Sequence, residues 1–232
     1  RIAPEDQHLL DIWKEKFRER VEREEAAKNL PKGRNVTADG VEIELSVNIG
    51  GSEDLKKLDM SSLRGVGLYR TEYLFLERKA MPDVQEQQKE YEKVFDLLDG
   101  KELIVRTLDI GGDKRVPYLT QEQEENPFLG VRGIRFTLKH PEILEVQMEA
   151  LLLAAKGRMF SIMLPMVDTV QEVEQARAIW DKVCKKVAEN GVAVNPDIRI
   201  GITIETPAAA ICVDIFIGKA DFVSIGSNDL AQ

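Results

Sequence analysis

The chain reads as an α/β protein with parallel strands, a (β/α)8 TIM-type barrel of which about six of the eight units are present, preceded by a long helix. Three observations predict this. Short, near-continuous apolar runs alternate with helical segments, the pattern of strands covered by helices on both faces. Polar and charged residues follow nearly every run, instead of gathering at one switch point as in an open doubly wound sheet. Two late runs, 199–204 and 222–225, close on Glu205 and on Asn228 and Asp229, as a parallel sheet presents ligands at its carboxyl edge. Right-handed crossovers are compatible with a barrel and with a doubly wound sheet alike. The spread of strand-end residues favours the barrel.

Residues 4–27 are dense in Glu, Lys and Arg, with Leu9, Leu10, Ile12, Trp13, Phe17 and Val21 at helical spacing. This predicts a long amphipathic helix. Pro31 and Gly33 break it, dividing a linker helix over 1–34 from a domain over 35–232. Residues 41–49 alternate and form the first strand, ending at Gly50-Gly51; a short helix over 52–59 has Ser52 as its cap. The second strand, 65–69, runs into Arg70-Thr71-Glu72, and the third, 103–108, follows a helix over 82–98. A polar loop over 109–126 carries Gly111-Gly112, and 130–138 fits either strand or helix. A helix over 141–155, a strand over 161–165 and a long helix over 170–189 complete the series.

At 232 residues, 43% hydrophobic and 31% charged, the composition is that of a soluble globular protein. A net charge of -9 argues against a nucleic-acid scaffold, which needs a basic face. It does not exclude an anionic ligand where arginines converge. Cys184 and Cys212 match no disulfide framework or metal spacing, as expected in a reducing cytoplasm. No apolar run reaches the length of a membrane span, and the charged N-terminus is not signal-like.

Three arginines stand at or near strand ends: Arg70, Arg106 and Arg132. The planar guanidinium donates paired, charge-assisted bonds to phosphate or carboxylate. When buried it needs an anion, either a ligand or a carboxylate such as Glu72, Asp109 or Glu205. Arg106 lies inside an apolar run, so it must point into a barrel centre or be paired there. Any one of the three fits an internal ion-pair network; three together beside strand-end carboxylates favour a bound phosphate–carboxylate compound. The loop 111–114 could bring backbone amides and Lys114 to a phosphate, although a plain turn accounts for it as well. Glu205 and Asp229 are the candidate metal ligands, because magnesium takes one or two carboxylates and completes its shell with water and phosphate oxygens. Neither His8 nor His140 sits in a catalytic constellation.

The segments GVGLYRTEYLF, RTLDIGGDK, ENPFLGVRGIR, IMLPM, IGITIETPAAA and FVSIGSNDLAQ occur in that order. Together they closely resemble the C-terminal phosphoenolpyruvate-binding barrel of the enzyme I family, the phosphoenolpyruvate–protein phosphotransferases of the bacterial sugar phosphotransferase system. The resemblance runs from about Val41 to the end. It implies a cytoplasmic, homodimeric enzyme that binds phosphoenolpyruvate with Mg²⁺. The phosphoryl group would pass to a histidine on a separate N-terminal domain and then to the phosphocarrier protein HPr. Carried over by motif, Arg70, Arg106 and Arg132 hold the substrate phosphate, Glu205 and Asp229 the metal, and Asn228 and Lys114 are further substrate contacts. Val131 and Gly133 replace the tryptophan and alanine usual in the family. The phosphohistidine motif and the proton-donating cysteine of the family are absent from these 232 residues, so phosphotransfer by this polypeptide alone is not expected. The barrels of pyruvate phosphate dikinase and phosphoenolpyruvate synthase use similar motifs and are the nearest alternatives. A non-catalytic dimerisation or regulatory module is a third.

Overall fold

The computed structural model describes residues 7–28, 35–76, 78–111, 116, 118, 126 and 130–231. They fall into two compact units, Arg1–Ile43 and Glu44–Gln232. In the first, α1 (Gln7–Lys28) leaves Leu9, Ile12, Trp13 and Phe17 exposed, and the rings of Trp13 and Phe17 stack with centroids 5.3 Å apart. The same unit ends in a small antiparallel turn. Val36 bridges Glu42, and the Thr37 amide donates to Val41 O at 2.8 Å.

The second unit holds six parallel strands paired in sequence order: β1 (Ser46–Ile49), β2 (Gly65–Arg70), β3 (Glu102–Arg106), β4 (Ser161–Leu164), β5 (Arg199–Ile204) and β6 (Val223–Ile225). Each strand pairs only with its sequence neighbours, without the order reversal that marks a doubly wound sheet. The sheet curls as the wall of a (β/α) barrel with six of its eight units. The predicted first strand is shortened to its second half. Val41, Ile43 and Leu45 are exposed, so no covered face rewards extending the ladder through them.

Between the strands lie α2 (Ser52–Leu55), α3 (Glu72–Leu76), α4 (Val84–Leu98), α5 (Ile134–Lys139), α6 (Pro141–Ala155) and α7 (Val170–Glu189). After β5 come α8 (Pro207–Ile211) and one 3-10 turn, and α9 (Ser227–Leu230) follows β6. The longer helices begin where local chemistry dictates. At α4, Asp83 accepts from the Glu86 amide and Glu86 from the Asp83 amide, and Thr169 and Glu172 repeat this capping box at α7. Pro141 opens α6, a position where its missing N–H has no helical partner to lose. The residue preceding α2 is Gly51, not Ser52, and that helix ends at Leu55, four residues before the predicted limit. The ambiguous stretch 130–138 becomes α5 because the chain reverses at Gly133. Its φ of 58° and its approach to Pro165 O, 3.1 Å from where a Cβ would stand, both call for glycine.

Alternate residues of β3, β4 and β5 face the helices, and in β2 a register irregularity puts both Val66 and Tyr69 on that side. Val66, Tyr69, Leu103, Val105, Ile162, Leu164, Ile200 and Ile202 are buried against Tyr91, Val94, Phe95, Leu144, Met148, Leu151 and Trp180. Edge-to-face aromatic pairs join the helices to the chain entering β4, with Phe95–Phe160 at 5.6 Å and Phe160–Trp180 at 6.3 Å between centroids. The intervening residues turn to the opposite face. At the carboxyl edge these are Arg70, Arg106, Thr203 and Glu205.

Candidate functional site

Strand register builds the site. Arg70 is the cross-strand partner of Arg106, and Arg106 of Met163, so a row of residues crosses the ends of β2, β3 and β4. On the next strand, β5 delivers Glu205 just past its last residue, Ile204.

Arg106 is 7% exposed and pairs with Glu72 Oε1 at 2.5 Å and Asp109 Oδ2 at 3.3 Å. Burial disfavours its charge, but Asp109, Glu72 and Glu205 outweigh that penalty and raise its pKa. Its buried Nε has no hydrogen-bond partner among the described residues. Arg132 is equally buried and forks onto Asp109, Nε to Oδ1 at 3.0 Å and Nη2 to Oδ2 at 3.1 Å. Its Nη2 also lies 3.2 Å from Asp229 Oδ1. Backbone geometry brings Arg132 there. Gly111 bridges Arg132, and at its φ of 112° an added Cβ would sit 2.3 Å from Val131 O. No side chain fits that approach.

Glu205 is 4% exposed, and its Oε1 accepts from the Met166 amide at 2.7 Å. Its Oε2 faces Gly226, where a Cβ would approach to 2.6 Å. Burial, chiefly, pushes the Glu205 pKa up, with Asp109 and Asp229 adding to it. The Met166 hydrogen bond and Arg106 pull the other way without reversing the shift. Asp109 and Asp229 thus act on Glu205 as like charges, while Arg106 and Arg132 stand among the three carboxylates as their counter-ions. Among the described residues no group of three or more His, Cys, Asp or Glu converges as a closed metal cage. Glu205 and Asp229, the two residues expected to hold a metal, both reach this edge, Asp229 through its contact with Arg132.

The remaining predicted residues scatter. Arg70 is half-buried, has no ion-pair partner among the described residues, and borders a cleft of about 660 Å³ lined also by Asn48, Gly50, Tyr73 and Glu90. Asn228 is exposed on α9 beside Asp229. Lys114 lies outside the described residues. Cys184 is half-buried on α7 as a packing residue, whereas Cys212 is exposed at the end of α8. Thr71, Gln147 and Met166 went unrecognised in the sequence. A polar Gln147 inside the apolar PEILEVQMEALLLAA was the one signal available for them.

A curled parallel β/α wall that gathers buried arginines and carboxylates at its carboxyl edge belongs to the barrel class that handles small anionic ligands. The chain belongs to the PEP-utilising enzyme family, through its PEP-binding domain, whose family model matches residues 23–232. It is 42% identical over 231 residues to proteins named phosphoenolpyruvate-protein phosphotransferase from Staphylococcus epidermidis and Staphylococcus carnosus, and 40% identical to one from Priestia megaterium. Each of these alignments covers 100% of this chain and 40% of the relative. The chain therefore spans two fifths of the length of the curated relatives it matches.

Proposed function

We propose that this chain is the phosphoenolpyruvate-binding barrel of a phosphoenolpyruvate–protein phosphotransferase. The phosphoryl group goes to a histidine on a separate N-terminal domain and then to the phosphocarrier protein HPr, feeding sugar uptake. The observation that carries this is Arg106, a desolvated guanidinium at a strand end whose Nε has no hydrogen-bond partner among the described residues, in one row with Arg70 and electrostatically coupled to Glu205. The relatives' names support this reading over a dikinase or a synthase.

In this reading Arg70 and Arg106 bind the phosphate oxygens, and their fixed charge stabilises the loose phosphoryl group as it leaves the enolate oxygen. Arg132 is kept oriented by Asp109 and adds charge from the adjacent loop. Glu205 and Asp229 would hold Mg²⁺, which supplies charge neutralisation of the phosphate and of the developing enolate. Asn228, exposed beside Asp229, and Lys114 orient the substrate. The P–O bond of the substrate breaks as a P–N bond forms on the acceptor histidine, and the enolate becomes pyruvate once its carbon is protonated. In this reading α1 belongs to the linker, placed over residues 1–34, toward the domain carrying that histidine. The protein is cytoplasmic and homodimeric in this reading; no helix among the described residues is long and apolar enough to cross a membrane.

Calorimetric titration with Mg²⁺ and phosphoenolpyruvate tests the reading. Saturable binding that requires both and collapses in Arg106→Ala and Glu205→Ala is the expected result. A folded protein that binds neither would favour the non-catalytic module.

A further inference from the structure

Gln147 is fully buried on α6, on the helix face that also carries Ile143, Leu144, Met148 and Leu151. An amide in such a place is destabilising unless its polar atoms are bonded, and methionine would fill the same space without that demand. Both of its N–H groups and its oxygen are bonded. Nε2 donates to Thr71 Oγ1 at 3.0 Å and to Tyr91 Oη at 3.2 Å, and Oε1 accepts from the Leu108 amide at 2.9 Å. Thr71 in turn donates to the Arg106 carbonyl at 2.8 Å.

These bonds meet at one point of the fold. The regular ladder of β3 ends at Arg106, and the Thr107 amide still reaches Met163 O, at 3.0 Å. Leu108 is fully buried, and its amide is satisfied by Gln147. The segment from Arg106 to Leu108 is therefore stapled at both ends, through Thr71 at the carbonyl of Arg106 and directly at Leu108. Thr71 is itself flanked by Arg70 and by Glu72, the counter-ion of Arg106. One side chain thus ties the ends of β2 and β3 to a common post. The post is anchored too: Tyr91 donates to Gln87 Oε1 at 3.0 Å, and Gln87 donates to Pro82 O at 3.0 Å.

We infer that Gln147 is a positioning residue for the anion site: without touching ligand, it sets the spacing of Arg70, Arg106 and Asp109 through Thr71 and the Leu108 amide. The inference rests on the proposed function for its consequence on binding, but not for its structural content.

The experiment compares the wild-type chain with Gln147→Met, which keeps the volume and removes the bonds. Val183→Ala, a cavity in the α7 packing, serves as a stability control. Two readouts are taken below the melting transition: the Kd for phosphoenolpyruvate with Mg²⁺, and the NMR signals of Arg106 Nε–H and the Leu108 amide. Removing a supporting hydrogen bond behind a metal ligand costs about 10- to 100-fold in affinity, and a loss of that order in the Kd for phosphoenolpyruvate with Mg²⁺ is expected in Gln147→Met. Faster exchange at Leu108 and a shifted Arg106 Nε signal should accompany it, while Val183→Ala lowers Tm with neither change. Wild-type Kd and an unmoved Arg106 signal in Gln147→Met would overturn the inference while the proposed function stands. If the wild type binds no phosphoenolpyruvate, the proposed function fails, and the Arg106 and Leu108 signals alone decide for or against Gln147. Should Gln147→Met not fold, the isosteric Thr71→Val cuts the same relay and is held to the same outcomes.

Discussion

Asp109 grips Arg132 with both carboxylate oxygens, at 3.0 and 3.1 Å, while its Oδ2 also lies 3.3 Å from Arg106. One fully buried carboxylate is thus shared by two buried guanidinium groups that belong to different segments of the edge. It keeps two cations close together at the carboxyl edge of the sheet.

Replacing Asp109 by Asn leaves two desolvated cations short of a counter-charge. Breaking a buried ion pair from one side is destabilising by about 3–5 kcal/mol. Chemical denaturation of Asp109→Asn should show a loss of that order. A loss within experimental error would mean that neither arginine depends on Asp109 for its place.

Arg106 should tolerate no basic substitute. Lysine carries the charge but not the planar fork that meets Glu72 and Asp109 together. Truncating one side of a buried, hydrogen-bonded charge pair costs about 2 kcal/mol or more in binding, roughly thirtyfold in Kd. Arg106→Ala is expected to weaken phosphoenolpyruvate binding by at least that factor, with Arg106→Lys recovering little of it. Full recovery by lysine would reduce the role of Arg106 to net charge.

The raised pKa of Glu205 sets a sign for pH dependence. The folded state binds this proton more tightly than the unfolded state does. The contribution of Glu205 to stability is therefore complete below the ordinary carboxylate range and is lost as pH rises through its elevated folded pKa. Glu205→Gln removes that loss. Without metal, the variant should melt higher than wild type above this window, and the difference should shrink as pH falls. Mg²⁺ with phosphoenolpyruvate should reverse the order by stabilising wild type alone, since they bind the folded form. Thermal melts across pH, with and without ligands, give both comparisons. Identical pH profiles for the two proteins would mean that Glu205 titrates normally.

Burial, with Asp181 adding, pushes the Cys184 thiol up to about 11, whereas Cys212 is exposed. Alkylation depends on the thiolate, so at pH 8 iodoacetamide should modify Cys212 well before Cys184. Peptide mass spectrometry after timed quenching reads the order. Equal rates at the two cysteines would contradict the burial of Cys184.

Much of the architecture was legible along the chain. The helices Pro141–Ala155 and Val170–Glu189 and the strand Arg199–Ile204 match their predicted limits, because apolar period, Pro141 and the flanking turns are all local signals. Boundaries failed where the deciding term was not local. Val41, Ile43 and Leu45 alternate like a strand but find no surface to cover, and within 130–138 only the part from Ile134 is helical, because Gly133 must pass close to the loop after β4. In the site, Arg106 was expected either to point inward or to be paired; it lies on the face away from the helices and is paired with Glu72 and Asp109.

By itself, the sequence determined which strands exist, their alternation with helices, and the chemical kinds of group that arrive at the carboxyl edge. Those properties follow from periodicity and from the residue that ends each run. Only the tertiary structure decided which carboxylate meets which arginine, that Asp109 is shared, that Glu205 is bonded to the Met166 amide, and that Gln147 stands behind the row. Those partners are brought together by the curl and register of the sheet. A carboxylate or an amide has no local preference among distant partners, so its choice is made by packing.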